Sequence, residues 1–105
     1  MFSSMIKVID DKGRAVKAFS CVAKDAYEKA VSDPEHAAAY LMLAIVADKL
    51  ADQYYECILL DSHVDKEFKR LLTFADNLDK AYASADVNET LKAVSDVARQ
   101  IASNR

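Results

Sequence analysis

Histidines, cysteines and carboxylates are the side chains with which this chain could bind a metal ion or act as a nucleophile. The chain has two histidines, His36 and His63, and two cysteines, Cys21 and Cys57. Neither histidine has a glutamate three residues before it, which a di-metal carboxylate centre in a helical bundle requires. The cysteines form no Cys-x-x-Cys pair, so we expect free, buried thiols in a reducing compartment. We therefore predict no metal site, no cofactor and no catalytic residue.

One short motif offers different chemistry. His63 and Lys66 have the spacing His-x-x-Lys, which resembles the phosphorylation motif of histidine phosphotransfer domains, a family of four-helix bundles of similar length. The resemblance covers four residues. That family places a small residue directly after the lysine, whereas Glu67 follows Lys66 here, and His63 is predicted at a helix start instead of mid-helix. The resemblance implies phosphotransfer through His63 as an alternative function.

The elements that must position these residues are predicted to be helices. The chain contains eighteen alanines but only one glycine, Gly13, and one proline, Pro34, a composition that favours helix. Apolar residues recur seven apart from Phe2 to Ala30, and their phase is unchanged across Gly13. This periodicity predicts one helix over residues 4–31. A β-hairpin over residues 5–17 is the alternative, because glycine inside a helix costs about 1 kcal/mol.

Three further helices follow from capping signals. Asp33 and Pro34 are typical of a helix start, so the second helix is predicted from Pro34 to about Leu60. Ser62 could cap a third helix, although the second and third could also be fused, and Asp86 could cap a fourth that ends before the polar tail. The short links favour an all-α, antiparallel (up-down) four-helix bundle, as a monomer or a dimer, with residues 1–105 in one domain.

The most apolar stretch of the chain lies in the second helix. The run AAAYLMLAIVA, residues 37–47, is too short to span a membrane, which takes about 20 apolar residues. On a helical wheel Met42, Ile45 and Val46 point away from the predicted core face, and Lys49 continues this rear face. These four residues form the predicted interface. We expect this apolar face to be buried by another segment. That segment is either part of the same chain, such as the N-terminus or an offset helix, or a second copy of the chain.

Charge and leader patterns narrow the class of protein. The formal net charge of −3 argues against nucleic-acid binding, which needs a basic face. The first residues lack the charge order of a signal peptide, so we expect a cytoplasmic protein with no membrane partner. The sequence therefore predicts a small, non-catalytic protein–protein interaction module of adaptor, chaperone-like or inhibitor type, acting as a homodimer or with a protein partner. Binding of a small apolar ligand between the helices is a further alternative.

Overall fold

The computed structural model describes residues 1–14, 16–56 and 61–103, and all regular secondary structure in these ranges is helical. No strand occurs among the described residues. There are five helices in this part of the chain: α1 (Phe2–Asp11), α2 (Val16–Ser32), α3 (Ala37–Glu56), α4 (Asp61–Ala83) and α5 (Val87–Ser103). The all-α prediction is therefore confirmed. None of these helices is both long enough and apolar enough to cross a membrane.

The single helix predicted over residues 4–31 is wrong, because the chain turns at Gly13. Gly13 has φ +72° and Arg14 has φ +57°, so both lie in the left-handed region. The Arg14 N–H donates to the Ile9 carbonyl at 2.8 Å, and the Gly13 N–H donates to the Asp10 carbonyl at 3.0 Å. This pair of bonds is the Schellman ending of a helix, with glycine at the left-handed position. The hairpin alternative is also wrong, since residues 5–11 and 16–17 are helical.

Of the predicted boundaries of the later helices, one differs from the structure, one is confirmed and one lies outside the described residues. Residues 34–36 form a turn and α3 begins at Ala37, so Pro34 precedes the helix. Residues 57–60 lie outside the described residues. Three predictions therefore also lie outside them: the buried thiol of Cys57, the helix end near Leu60, and whether the second and third predicted helices are fused. The predicted start of the last helix is confirmed: the Asp86 carboxylate accepts the Asn88 N–H at 2.9 Å, and α5 follows at once.

The described residues share one hydrophobic core, to which all five helices contribute. α2 packs along α3, α1 packs against α2 and α4, and α3 packs against α4. α5 packs against α4 and α3. Its only buried residue is Val97, so α5 is the helix that the core holds least. The largest fully buried side chains are Phe2, Phe19, Phe74, Ile6, Ile9, Leu43, Leu71, Leu78 and Val97.

Two polar contacts fasten α1 and its following turn to α4. At the start of α1, the Asp79 carboxylate accepts the Phe2 N–H at 2.7 Å, the Ser3 N–H at 3.0 Å and the Ser3 hydroxyl at 2.7 Å. After the end of α1, the Arg14 guanidinium donates to the Asp65 carboxylate and lies 4.5 Å from the centre of the Phe68 ring. Asp65 and Asp79 lie near opposite ends of α4. These contacts therefore join the start of each helix to the end of the other.

Candidate functional site

The four residues of the predicted interface do not share one environment. Val46 is buried, with 7% of its surface exposed, and Met42 is half-buried against the core. Ile45 retains 44% exposure and Lys49 is exposed. The physical reason is α5: it packs against α3, and its Ile101 lines the same cavity as Val46. The chain's own last helix therefore covers part of the apolar rear face of α3, while the interface assignment itself stays a prediction.

A narrower apolar stripe remains exposed along α3. It contains Ala38, Leu41 and Ile45, spaced three and four residues apart, which places them on one face of the helix. Leu41 is 43% exposed, almost the same as Ile45. The interface predicted from the sequence includes Ile45 and does not include Leu41. A helical wheel shows which residues share a face of one helix, but it does not show where the neighbouring helices pack.

α5 exposes a second apolar stripe. Its sequence is amphipathic, yet Val87 is 80% exposed and Leu91 is 63% exposed. Val94, one turn further on, is half-buried against the core. An amphipathic helix normally buries its apolar side against its own domain. The first half of α5 instead presents two large aliphatic side chains to solvent.

An open groove lies between the first halves of α3 and α5. Its volume is about 530 Å³. Its lining residues are mostly apolar: Glu35, Ala38, Tyr82, Ala85, Val87, Thr90, Leu91 and Val94. Ala38 belongs both to this groove and to the exposed stripe of α3, and Ile45, at the other end of that stripe, lines a second cavity together with Ile101 of α5. We call the groove together with the exposed Leu41 and Ile45 the α3–α5 surface.

Among the described residues that line the groove, Glu35 is the single charged side chain. No described residue forms a hydrogen bond or ion pair with the Glu35 carboxylate. The half-buried Tyr82 phenol lies in the same wall, and its pKa is raised first by burial and then by the negative charges of Glu35 and Asp33. The other hydroxyl, that of Thr90, lies 3.0 Å from the carbonyl oxygens of Ala81 and Asp86. The polar wall of the groove therefore carries negative charge.

Packed aromatic rings hold Tyr82 in place. Its ring centre lies 4.6 Å from that of His36 and 5.5 Å from that of Phe2, and Phe2 lies 5.0 Å from Tyr40. The His36 Nδ1 atom is 2.9 Å from the Asp33 carboxylate, which fixes the imidazole. Burial also raises the pKa of Tyr40. These rings pack against one another behind one wall of the groove, and no local sequence pattern predicts that Phe2 and Tyr82 meet.

The residues of the phosphotransfer hypothesis lie at the opposite end of α4 from Tyr82. His63 and Lys66 are both exposed in the first turns of α4. Glu67, which stands where the resembled family has a small residue, is half-buried and lies 3.4 Å from the Arg70 guanidinium. His63 lines a cavity of about 240 Å³ together with Lys49, Glu67 and Arg70. Phosphotransfer through His63 stays a prediction.

The remaining candidate residues that the structure describes do not come together in a metal site. Cys21 is exposed and not disulfide-bonded, so the prediction that this thiol is buried is wrong. The reason is its register in α2, where Val22 and Ala23, and not Cys21, face the core. Within the described ranges, no group of three histidine, cysteine, aspartate or glutamate side chains could hold a metal ion.

Comparisons with protein-family models, curated proteins and solved structures give no match for this chain. Its function is therefore inferred from the geometry of the α3–α5 surface.

Proposed function

We propose that the protein is a small, non-catalytic interaction module that binds another polypeptide through the α3–α5 surface. The observation that carries this proposal is the exposure of Val87 and Leu91 beside an open, mostly apolar groove. Large apolar side chains that adjoin each other on a surface mark interaction sites, whereas single exposed ones need no explanation. In this interpretation the partner completes the packing of α5.

The proposal includes an arrangement of the helices. α1 to α4 form an antiparallel four-helix bundle, and α5 is a fifth helix laid over the seam between α3 and α4. The contacts of α1 with opposite ends of α4, through Asp79 and Asp65, support this arrangement, as does the packing of α5 against α3 and α4. The bundle supplies rigidity, and α5 supplies half of the binding surface.

Burial of the exposed aliphatic side chains would supply part of the binding free energy at this surface. Fully burying a valine or leucine side chain contributes about 1.5–3 kcal/mol. At their present exposures, covering Val87 and Leu91 would release about 3 kcal/mol. Leu41 and Ile45 would add to this with their smaller exposed fractions. A few well-packed anchors of this kind carry most of the energy of a protein interface.

Matched surface variants test the proposal. The test variant combines Ile45→Ser with Leu91→Ser, and the control combines Val8→Ser with Val31→Ser, which removes two exposed aliphatic residues outside the α3–α5 surface. The measurement is the elution volume of each chain in extract of its native cells, compared with the same purified chain. We expect wild type and control to elute as larger complexes in extract and the test variant to elute as the purified chain does. Equal elution of wild type in both samples, or equal loss in both variants, would contradict the proposal.

A further inference from the structure

The shape of the α3–α5 surface indicates what kind of element occupies it. Each wall is one side of a helix. The stripe from Ala38 to Ile45 and the stripe from Val87 to Val94 each contain eight residues, and the seven steps between the first and the last cover about 10 Å along a helix axis. A docked helix places anchors at i, i+4 and i+7 over the same length. Two turns of an amphipathic helix therefore match the apolar length that the surface offers.

The groove is too open for a small molecule to be its natural occupant. Sites for small ligands enclose most of the ligand surface. Here Val87 and Leu91, on one wall, are themselves mostly exposed, so a small apolar ligand between the walls would remain largely in water. A helix that lies across both stripes would cover these side chains from outside.

Charge defines the occupant further. Glu35 is the charged side chain among the described residues that line the groove. The pKa of Tyr82 in the same wall is raised first by burial, and the negative charges of Glu35 and Asp33 raise it further. No lysine or arginine lines the groove among the described residues. Because opposite charges on the two sides of an interface favour encounter and fix register, a basic residue on the partner suits this position.

On the basis of the proposed function, we infer that the α3–α5 surface binds an amphipathic helix of a partner protein, with apolar anchors between Val87, Leu91 and the α3 stripe and a lysine or arginine beside Glu35. A second copy of the chain is a poorer occupant. Two-fold pairing through this surface would bring two like-charged grooves together.

A pair of model peptides tests this inference. Both are fluorescein-labelled amphipathic helices with the same leucine stripe, and lysines flank the stripe in one while glutamates flank it in the other. The measurement is the dissociation constant from fluorescence anisotropy, with the full chain as wild type, Glu35→Lys, Leu91→Ser and Glu28→Lys. Glu28 is exposed on α2 and does not line the groove, so Glu28→Lys is a control with the same change in net charge.

We expect the lysine peptide to bind wild type more tightly than the glutamate peptide does. Glu35→Lys should weaken the lysine peptide about fivefold and strengthen the glutamate peptide, since an exposed charge pair is worth up to about 1 kcal/mol. Leu91→Ser should weaken both peptides. Glu28→Lys should change either constant by less than about twofold at physiological salt, because screening limits distant charges.

Three results would overturn the inference. One is equal binding of both peptides to wild type, and another is an equal effect of Glu35→Lys and Glu28→Lys, which would show attraction to overall charge alone. The third is a purified wild-type chain that sediments as a dimer while the Leu91→Ser chain sediments as a monomer. That result would make a second copy the occupant of the surface and overturn the inference. The proposed function is tested separately, and it fails when the wild-type chain elutes from extract as the purified chain does.

Discussion

The Asp79 carboxylate makes the most testable single contribution to the fold. It accepts three hydrogen bonds from Phe2 and Ser3 at the start of α1, where main-chain N–H groups have no partner within the helix. Met1 precedes the helix and supplies no side-chain cap of its own. Asp79 of α4 therefore performs the role of a capping residue from another helix, 77 residues away in sequence from Phe2.

The size of the effect follows from these bonds. Loss of a capping side chain costs about 0.5–2 kcal/mol, and hydrogen bonds to a charged group lie at the upper end of the usual range. We expect Asp79→Ala to lower the free energy of unfolding by about 1–3 kcal/mol. Each kcal/mol should lower the thermal midpoint by about 4–8 °C in a domain near this size.

The effect should depend on pH in a defined direction. Burial raises the pKa of Asp79, but the Ser3 hydroxyl, the N–H groups of Ser3 and Phe2 and the Met1 amino group together lower it below the usual aspartate value. The carboxylate is therefore fully stabilising above the unfolded-state pKa, and its contribution is lost as the pH falls through the lower folded-state pKa. The difference between wild type and Asp79→Ala should be constant near neutral pH and shrink in acid.

Urea unfolding followed by circular dichroism, repeated from neutral to acidic pH, measures this contribution. Asp76→Ala is the control: Asp76 is exposed on the same helix and forms no hydrogen bond or ion pair with a described residue. Its loss should change the free energy of unfolding by less than about 0.5 kcal/mol. The reasoning is refuted if the two variants are equally stable, or if the Asp79→Ala difference is undiminished in strong acid.

Three other substitutions have defined outcomes in the same unfolding assay. Gly13→Ala should lower the free energy of unfolding by about 1 kcal/mol, because φ is +72°, and by no more than that, because an added Cβ meets no atom within 4 Å. Lys12→Ala, at φ −96°, should lower it less. The reverse order would contradict the turn at Gly13. Phe2→Ala should cost about 3–5 kcal/mol, because the ring is fully buried; a loss below 1 kcal/mol would mean that the aromatic packing is wrong. Leu91→Ser should change the free energy of unfolding by less than about 0.5 kcal/mol, because Leu91 is exposed. Val97→Ala should be clearly destabilising, because Val97 is buried. Equal losses of stability in the two variants would place Leu91 in the core.

Helix content and the start of the last helix could be predicted from the sequence because their causes are local. Alanine-rich composition favours helix wherever the chain lies, and Asp86 caps α5 through a neighbouring N–H. The break at Gly13 was missed for a physical reason. The seven-residue apolar spacing is the same for one long helix and for two helices that both face one core, so periodicity could not detect the turn. The glycine itself was the available signal.

The candidate site could be predicted only in part, because it depends on contacts between distant segments. The apolar character of both α3 and α5 is visible in the sequence. The sequence does not show which side of α3 is covered by α5. Val46 became core and Ile45 stayed exposed, although they are adjacent and equally apolar. Similarly, Glu35 has no sequence motif, and its position in the groove wall depends on α5 and Tyr82 packing beside the start of α3.

Site-specific photo-cross-linking in the native cells tests the central claim most directly, with a benzophenone amino acid placed at Leu91 or, as the control, at Val31 of α2, which is even more exposed. The account predicts a discrete protein adduct from position 91 and little or none from position 31. No adduct from position 91, or the same adducts from both positions, would contradict it.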